Sequence, residues 1–366
     1  MPGPVQTSSF QKKAKSQIIS IPGTKPSVHN SQLLISTGIP SFDFILGGGL
    51  PVGSILLIEE DTFDIYSKLF MKFYLAEGLL NGHLLHLASL DEIPGQIIKE
   101  LPAPSNEQKP GLQSDGSDET LKIAWRYQNK AIAEHTTPVY DITKVLDVEE
   151  FRDVISLWDG SSGDLGTMGK FSNPLYLSLL KNIDKTIQEH DLIPKGSKLK
   201  SNLLRLAIHS LVSPLWGEEY SQHEKDKKWT NITLFLTLLK SIVRSSFSVA
   251  LITVPSHLIS DPVLVSRLYG IVDFGVRLES FQGSAKETNP IFKEYHGLFH
   301  VNKLSALNTI VPNQLDSLDW AFQVKRKSIH IKRLHLPPEL SETTSRAQED
   351  TAQSCSGGVL PKHLDF

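Results

Sequence analysis

Cysteine is almost absent: the 366 residues contain one, Cys355, in a Ser/Gly-rich stretch near the C-terminus. That excludes a disulfide framework and a cysteine-based metal site, and the usage suits a reducing compartment. Long apolar runs are also missing. No segment approaches the roughly 20 residues that cross a bilayer, and the N-terminus lacks the hydrophobic stretch of a secretory signal, so no membrane contact is expected. Neither sign of charge dominates. With 37 Lys and Arg against 40 Asp and Glu, the formal net charge is −3. There is no global signature of nucleic-acid binding, and any contact with a polyanion must be local. No G-x-S-x-G elbow is present, which removes the α/β-hydrolase reading. No Glu-x-x-His spacing suggests a metal cluster, and no internal repeat is seen.

The informative stretch is Thr37 to Glu60, TGIPSFDFILGGGLPVGSILLIEE. Gly47, Gly48 and Gly49 make a run that favours positive φ and close backbone approach. Ser54 to Ile58 is then apolar without alternation, the pattern of a central parallel strand buried on both faces. A helix is predicted next, with Tyr66, Leu69, Phe73, Ala76 and Leu80 at helical spacing, Gly82 as its stop, and a second strand at His83–Ala88. The turn between strand and helix carries Glu59, Glu60, Asp61 and Asp64. Four carboxylates stand where a polyanion would have to sit, and Asp61, Thr62 or Asp64 can cap the helix in its place.

Elsewhere the chain alternates strands with helical segments. Residues 1–32 lack periodicity and read as a flexible arm, weakly basic from Lys12, Lys13 and Lys15. Residues 33–340 read as the core, with polar insertions near 102–120 and 128–172 and an isolated strand at Leu121–Tyr127. Asn173-Pro174 signals a helix start. Core strands are expected at Leu203–Ile208 and Val249–Val254, with a helix around Thr230–Ser245 between them. Further strands fall at Gly275–Phe281, Gly297–Leu304 and Phe322–Leu336. Residues 341–366 read as a disordered tail. The fold class is therefore α/β, a mostly parallel twisted sheet flanked by helices, with antiparallel additions late in the chain.

The words TGIPSFDFILGGGLPVG resemble the approach to the ATP-binding core of the RecA and KaiC superfamily. In that family a G-x-x-x-x-G-K-[ST] loop follows the strand. Here its glycines fall on Glu60 and Ile65 and its lysine on Tyr66, and only the hydroxyl is kept, at Ser67. The strand ending at Ile208 would in that family close on an acidic magnesium ligand, but His209 and Ser210 stand there. His209 reads either as a general base or as a satisfied polar residue, the second being preferred because no partner is visible in sequence. The degenerate loop is read as a self-capped turn that binds no nucleotide or metal.

Further phrases, IPGTKPSVHNSQLLISTG, LLIEED, KIAWRY, SPLWG, ETNPIFKEYHGL, KRLHLPPEL and the closing KHLDF, are similar to the RecA-like subunits of the Elongator complex over nearly the whole chain. The resemblance implies a non-catalytic subunit that joins two RecA-like siblings in a hexameric ring. That ring docks on the catalytic Elongator subcomplex, contacts tRNA and supports modification of the wobble uridine, in the cytoplasm and the nucleus. ATP would be left to ring interfaces with siblings, where Arg244 or Arg277 can form one wall. Loops at Ser213–Trp229 and Ser256–Gly270 would line the ring channel, so Lys225, Lys227, Lys228, His257 and Arg267, with Trp216, Tyr220 and Trp229 nearby, are the candidate tRNA contacts. The run Lys325-Arg326-Lys327, with Lys332 and Arg333, is either a second phosphate patch or a solvated edge. The competing hypothesis is a stand-alone ATPase of the same superfamily with an unorthodox phosphate loop.

Overall fold

Apolar runs with no polar face to leave in water decide the layering. The computed structural model describes residues 21–27, 30, 32–105, 140–161, 173–194, 202–217, 230–259, 261–308, 314–315 and 317–334. The chain begins with β1 (Thr24–Pro26), β2 (Leu33–Ile35), α1 (Pro40–Ile45) and β3 (Leu50–Pro51). Next come β4 (Ile55–Glu59), α2 (Tyr66–Leu80), β5 (Leu84–Ala88), α3 (Pro94–Lys99) and β6 (Pro102–Pro104). The middle holds β7 (Tyr140–Val145), β8 (Ile155–Trp158), α4 (Pro174–Glu189), β9 (Leu204–Ile208) and α5 (Thr230–Ser245). It closes with β10 (Ser248–Val254), α6 (Pro262–Ile271), β11 (Phe274–Ser280), β12 (Gly297–Lys303), β13 (Trp320–Lys325) and β14 (Ser328–Arg333).

The main sheet has nine strands in the order β14-β13-β12-β11-β4-β10-β9-β5-β8. From β11 to β8 all neighbours are parallel, and from β11 to β14 they are antiparallel. Every residue of β4, β5, β9 and β10 is buried, as strands covered on both faces must be. One face packs against α1, α2 and α3 through Phe42, Phe70, Phe73, Ile97 and their neighbours. The other packs against α4, α5 and α6 through Ile183, Phe235, Leu264 and their neighbours. The predicted helix at α2 has the expected bounds, but Phe70, Met71, Tyr74 and Leu75 are buried beside Phe73 and Ala76 while Leu69 and Leu80 are only half-buried.

Local chemistry explains several boundaries. Asn173 caps α4 by accepting from Leu175 N at 2.9 Å, with Pro174 at the first helical position. Gly47, Gly48 and Gly49 all have positive φ, and a Cβ on Gly49 would lie 2.4 Å from the Ile35 carbonyl oxygen. The glycine run thus lets the chain pass close to β2.

Three sequence expectations need correction. The N-terminal arm does not extend to residue 32: Ile21 is buried in the core, and β1 pairs with β2, whose Leu34 and Ile35 are buried. The polar stretch 128–172 is not wholly an insertion, since it supplies β8, an edge strand parallel to β5 whose Trp158 is fully buried. At four residues inside a polar stretch, β8 is too short to show as a core run. The single strand expected over Phe322–Leu336 is a hairpin, β13 and β14, turning at Arg326-Lys327; Lys325 and Lys327 therefore do not share a strand face. The strand expected at 121–127 and the tail 341–366 lie outside the described residues.

Candidate functional site: an anion-binding turn filled from within

Strand β4 ends at the centre of the sheet, between β10 and β11, and the turn after it opens α2. In this architecture the N–H groups at the start of the helix face the position of a phosphate. Here Asp61 faces them instead. Its carboxylate accepts from Ile65 N at 3.1 Å, Tyr66 N at 3.0 Å and Ser67 N at 2.9 Å. Ser67 Oγ, the retained hydroxyl, lies 2.9 Å from the same carboxylate and 2.7 Å from Asp64 Oδ1. Asp61 is only 1% exposed. A buried internal anion thus satisfies the orphan donors and the positive end of the helix dipole.

The other positions have been put to different uses. Tyr66, where a lysine would reach the phosphates, packs its ring 4.8 Å from Phe322 and 6.2 Å from His296. Ile65 is exposed. Glu60 is buried, donates its backbone N–H to Val254 O at 2.9 Å, and accepts from Ser210 Oγ at 2.9 Å. Burial, then the charge of Asp64, pushes the Glu60 carboxyl up to about 7.

His209 has a partner that the sequence did not show. Its Nε2 lies 2.7 Å from Asp64 Oδ2 and its Nδ1 3.1 Å from Ser89 Oγ. Burial by itself would lower the imidazole pKa. The Asp64 carboxylate outweighs it and the pKa is raised, while Asp64 is held below the usual carboxylate range against its own burial. The pair is an ion pair at the end of β9, His209 fully buried and Asp64 half-buried, with Lys68 3.6 Å from Asp64. Asp64, Ser210 and Val212 have φ of 51°, 48° and 73°. Left-handed backbone at a β-branched valine is strain held in place by the surrounding packing. Ligand atoms of Glu60, Asp64 and His209 lie within 4.8 Å of one another, so these three could hold a metal ion. The direct Asp64–His209 hydrogen bond already gives a proton that place.

Beside the turn a cleft of about 710 Å³ opens between the ends of β4, β10 and β11. Glu59 is buried in its floor, bonded to Tyr269 Oη and to Asn302 Nδ2 at 3.1 Å. Burial and the Glu59 charge push the Tyr269 phenol up. Glu59 and Glu60 line this cleft together with Arg277 and His257.

The remaining candidates separate. His257 is exposed on the 3-10 turn Ser256–Leu258 and lines this cleft. Arg267 is exposed but belongs to helix α6, not to a loop, because Asp261 and Pro262 start a helix there. Trp216 is not free to stack on a base: it is fully buried, stacked 5.4 Å from Tyr176 and 5.6 Å from Trp158, with Nε1 donating to Ser210 O. Arg244 is committed to Asp273 at 2.8 Å, near the N-terminal end of β4 and away from the turn. Arg277 stays exposed near the cleft, 3.4 Å from Glu279. Lys225, Lys227, Lys228, Tyr220 and Trp229 lie outside the described residues. The Asp64–His209 contact was missed because it joins residues 145 apart. The available signal was a histidine directly ending a buried strand.

Six parallel strands with the strand–turn–helix unit at their centre define a RecA-like α/β protein, one whose phosphate position is occupied by its own carboxylate. The PAXNEB protein family model matches residues 17–366. Elongator complex protein 4 of Danio rerio is 41% identical, covering 98% of this chain and 96% of the relative. The proteins of the same name from Mus musculus and Homo sapiens are 41% and 40% identical, covering 98% and 96% of this chain and 94% and 90% of their own. Among solved structures, a KaiC-like protein from Pyrococcus horikoshii OT3 covers 82% of this chain and 99% of its own at 15% identity, with a TM-score of 0.45. The chain belongs to the Elongator complex protein 4 family.

Proposed function

We propose that this chain is an accessory subunit of the Elongator complex with no catalytic chemistry of its own. It joins two RecA-like siblings in a hexameric ring that docks on the catalytic subcomplex, binds tRNA and supports conversion of the wobble uridine, U34, to 5-carboxymethyl-type derivatives. The chain alone takes up no nucleotide, and any ATP sits at ring interfaces with siblings, where Arg277 forms one wall. It works in the cytoplasm and the nucleus.

The observation that carries this reading is the Asp61 carboxylate in the place a phosphate would take, bonded to three successive N–H groups. Assembly is supported by exposed apolar side chains at the ends of the parallel strands, Phe63, Ile65, Ile93, Leu215 and Leu258. Apolar groups exposed at one end of a sheet favour a covered surface over a free one. Titration calorimetry of the purified chain with Mg-ATP should give no binding heat, and native mass spectrometry with the two siblings should give a hexamer. A lone chain that turns over ATP, or that stays monomeric beside its siblings, would sink the reading.

A further inference from the structure

Past β11 the sheet becomes antiparallel, and one of its faces carries polar rather than apolar side chains. Pairing of Phe322 with Ile331 and of Val324 with Ile329 turns those residues toward the α1–α2 side. The alternate residues face the other way. They are Gln323 opposite His330, Lys325 opposite Ser328 and Ala321 opposite Lys332, with His300 and Arg277 beyond on β12 and β11. On β4, β9 and β10 this same face is covered by α4, α5 and α6. On β13 and β14, Lys325 and Lys332 are exposed.

The charge on this face is lopsided. The carboxylate that the register places here is Glu279, already bonded to Lys286 at 2.6 Å and to His300 Nε2 at 3.0 Å. Lys325, Lys332 and Arg326, in the hairpin turn, have no carboxylate partner among the described residues. Lys332 Nζ donates only to the neutral Gln323 Oε1, at 3.2 Å. Burial, and after it the charges of Lys325 and Lys332, hold the His330 imidazole below its ordinary pKa. The apolar share of this face is limited to Leu298 and Ala321, small beside the apolar centre of a typical protein interface. Half-buried imidazoles at His300 and His330 offer flat rings between the cations.

We propose that the outer face of β12–β14, centred on Lys325, His330 and Lys332, binds the phosphate backbone of single-stranded or loop RNA. This rests on the RNA-contact part of the reading above, but it uses a sheet face of the single chain and neither the channel loops nor the ring. The cations hold phosphates without reading sequence, and the imidazoles stack on splayed bases.

The test is fluorescence anisotropy of the full-length chain with a labelled oligouridylate, over a salt series. Lys325→Glu with Lys332→Glu should weaken binding by about tenfold or more and flatten the slope of log K against log salt by about 2. Lys325→Ala with Lys332→Ala, which cannot misfold through charge repulsion, should give a smaller loss in the same direction. If the wild-type chain binds RNA and both variants bind it equally well, the surface is wrong while the RNA reading stands. If the wild-type chain binds no RNA, the reading itself fails. Polyglutamate competing as effectively as RNA would overturn the assignment in favour of an acidic protein partner.

Discussion

Asp61 meets Ser67 twice, accepting from its backbone N–H at 2.9 Å while the Ser67 hydroxyl lies 2.9 Å from the same oxygen. The one residue kept from a phosphate-binding loop is therefore bound to the residue that replaces the phosphate. Removing the carboxylate leaves three helix N–H groups unpaired, that of Ser67 fully buried. Asp61→Ala should cost about 1–3 kcal/mol in urea denaturation. Millimolar orthophosphate should recover part of that loss in the variant and change nothing in the wild type. An equal phosphate response in both would mean that the turn was never filled.

The Asp64–His209 pair should behave as one unit. Breaking one partner leaves the other buried without compensation, so Asp64→Asn and His209→Gln should each destabilise by about 2–4 kcal/mol. The double variant should cost clearly less than the sum, with a coupling of about 1 kcal/mol or more. Additive losses in a denaturant cycle would show that the two side chains do not interact.

Glu60 sets a pH dependence of unusual sign. Its folded pKa of about 7 lies above the ordinary value of 4.5. Between those values the folded state holds the proton that the unfolded chain releases, so stability falls as pH rises from 4.5 towards 7 and stays low above it. Glu60→Gln should be close to neutral at pH 5 and stabilising at pH 8, by an amount on the order of 3 kcal/mol if the whole shift is expressed. His209 adds to the same trend, since a raised imidazole pKa gives stability that is lost as pH climbs through it. Chemical denaturation of both proteins at the two pH values settles the sign.

Gly78 lies in the middle of α2, where alanine would ordinarily be the better helix former by about 1 kcal/mol. An added Cβ would fall 2.6 Å from Arg205 Cδ and 2.7 Å from Leu85 Cδ2. Arg205 cannot withdraw. It is fully buried, donating Nε to His83 Nδ1 at 3.0 Å and a terminal N–H to the carbonyls of Ser36 and Tyr74 at 2.9 Å. Gly78→Ala should therefore lower stability by about 1–3 kcal/mol in thermal or urea unfolding. A stabilised variant would mean that the arginine has room to move.

The central strands β4, β5, β9 and β10 were legible because each is mostly apolar, and the start of α4 because Asn173-Pro174 states its cap and first turn directly. Strand β8 was not legible, since only Trp158 on it is buried. The hairpin at Arg326-Lys327 was hidden because basic residues suit a strand edge and a turn equally well. Trp216, read as a stacking residue from its neighbours in sequence, became a core residue once α4 brought Tyr176 against it.

By itself, the sequence determined the charge and the missing glycines of the turn after β4: these are properties of the residues, and no folding changes them. It also determined the layered α/β class, since buried runs alternating with helical stripes admit few other arrangements. Only the tertiary structure decided what took the vacated place. Which of four nearby carboxylates turns inward depends on the path of the backbone, and whether His209 meets Asp64 depends on β9 and the turn after β4 ending side by side. Contacts between distant residues are fixed by strand order and register, and local sequence carries neither.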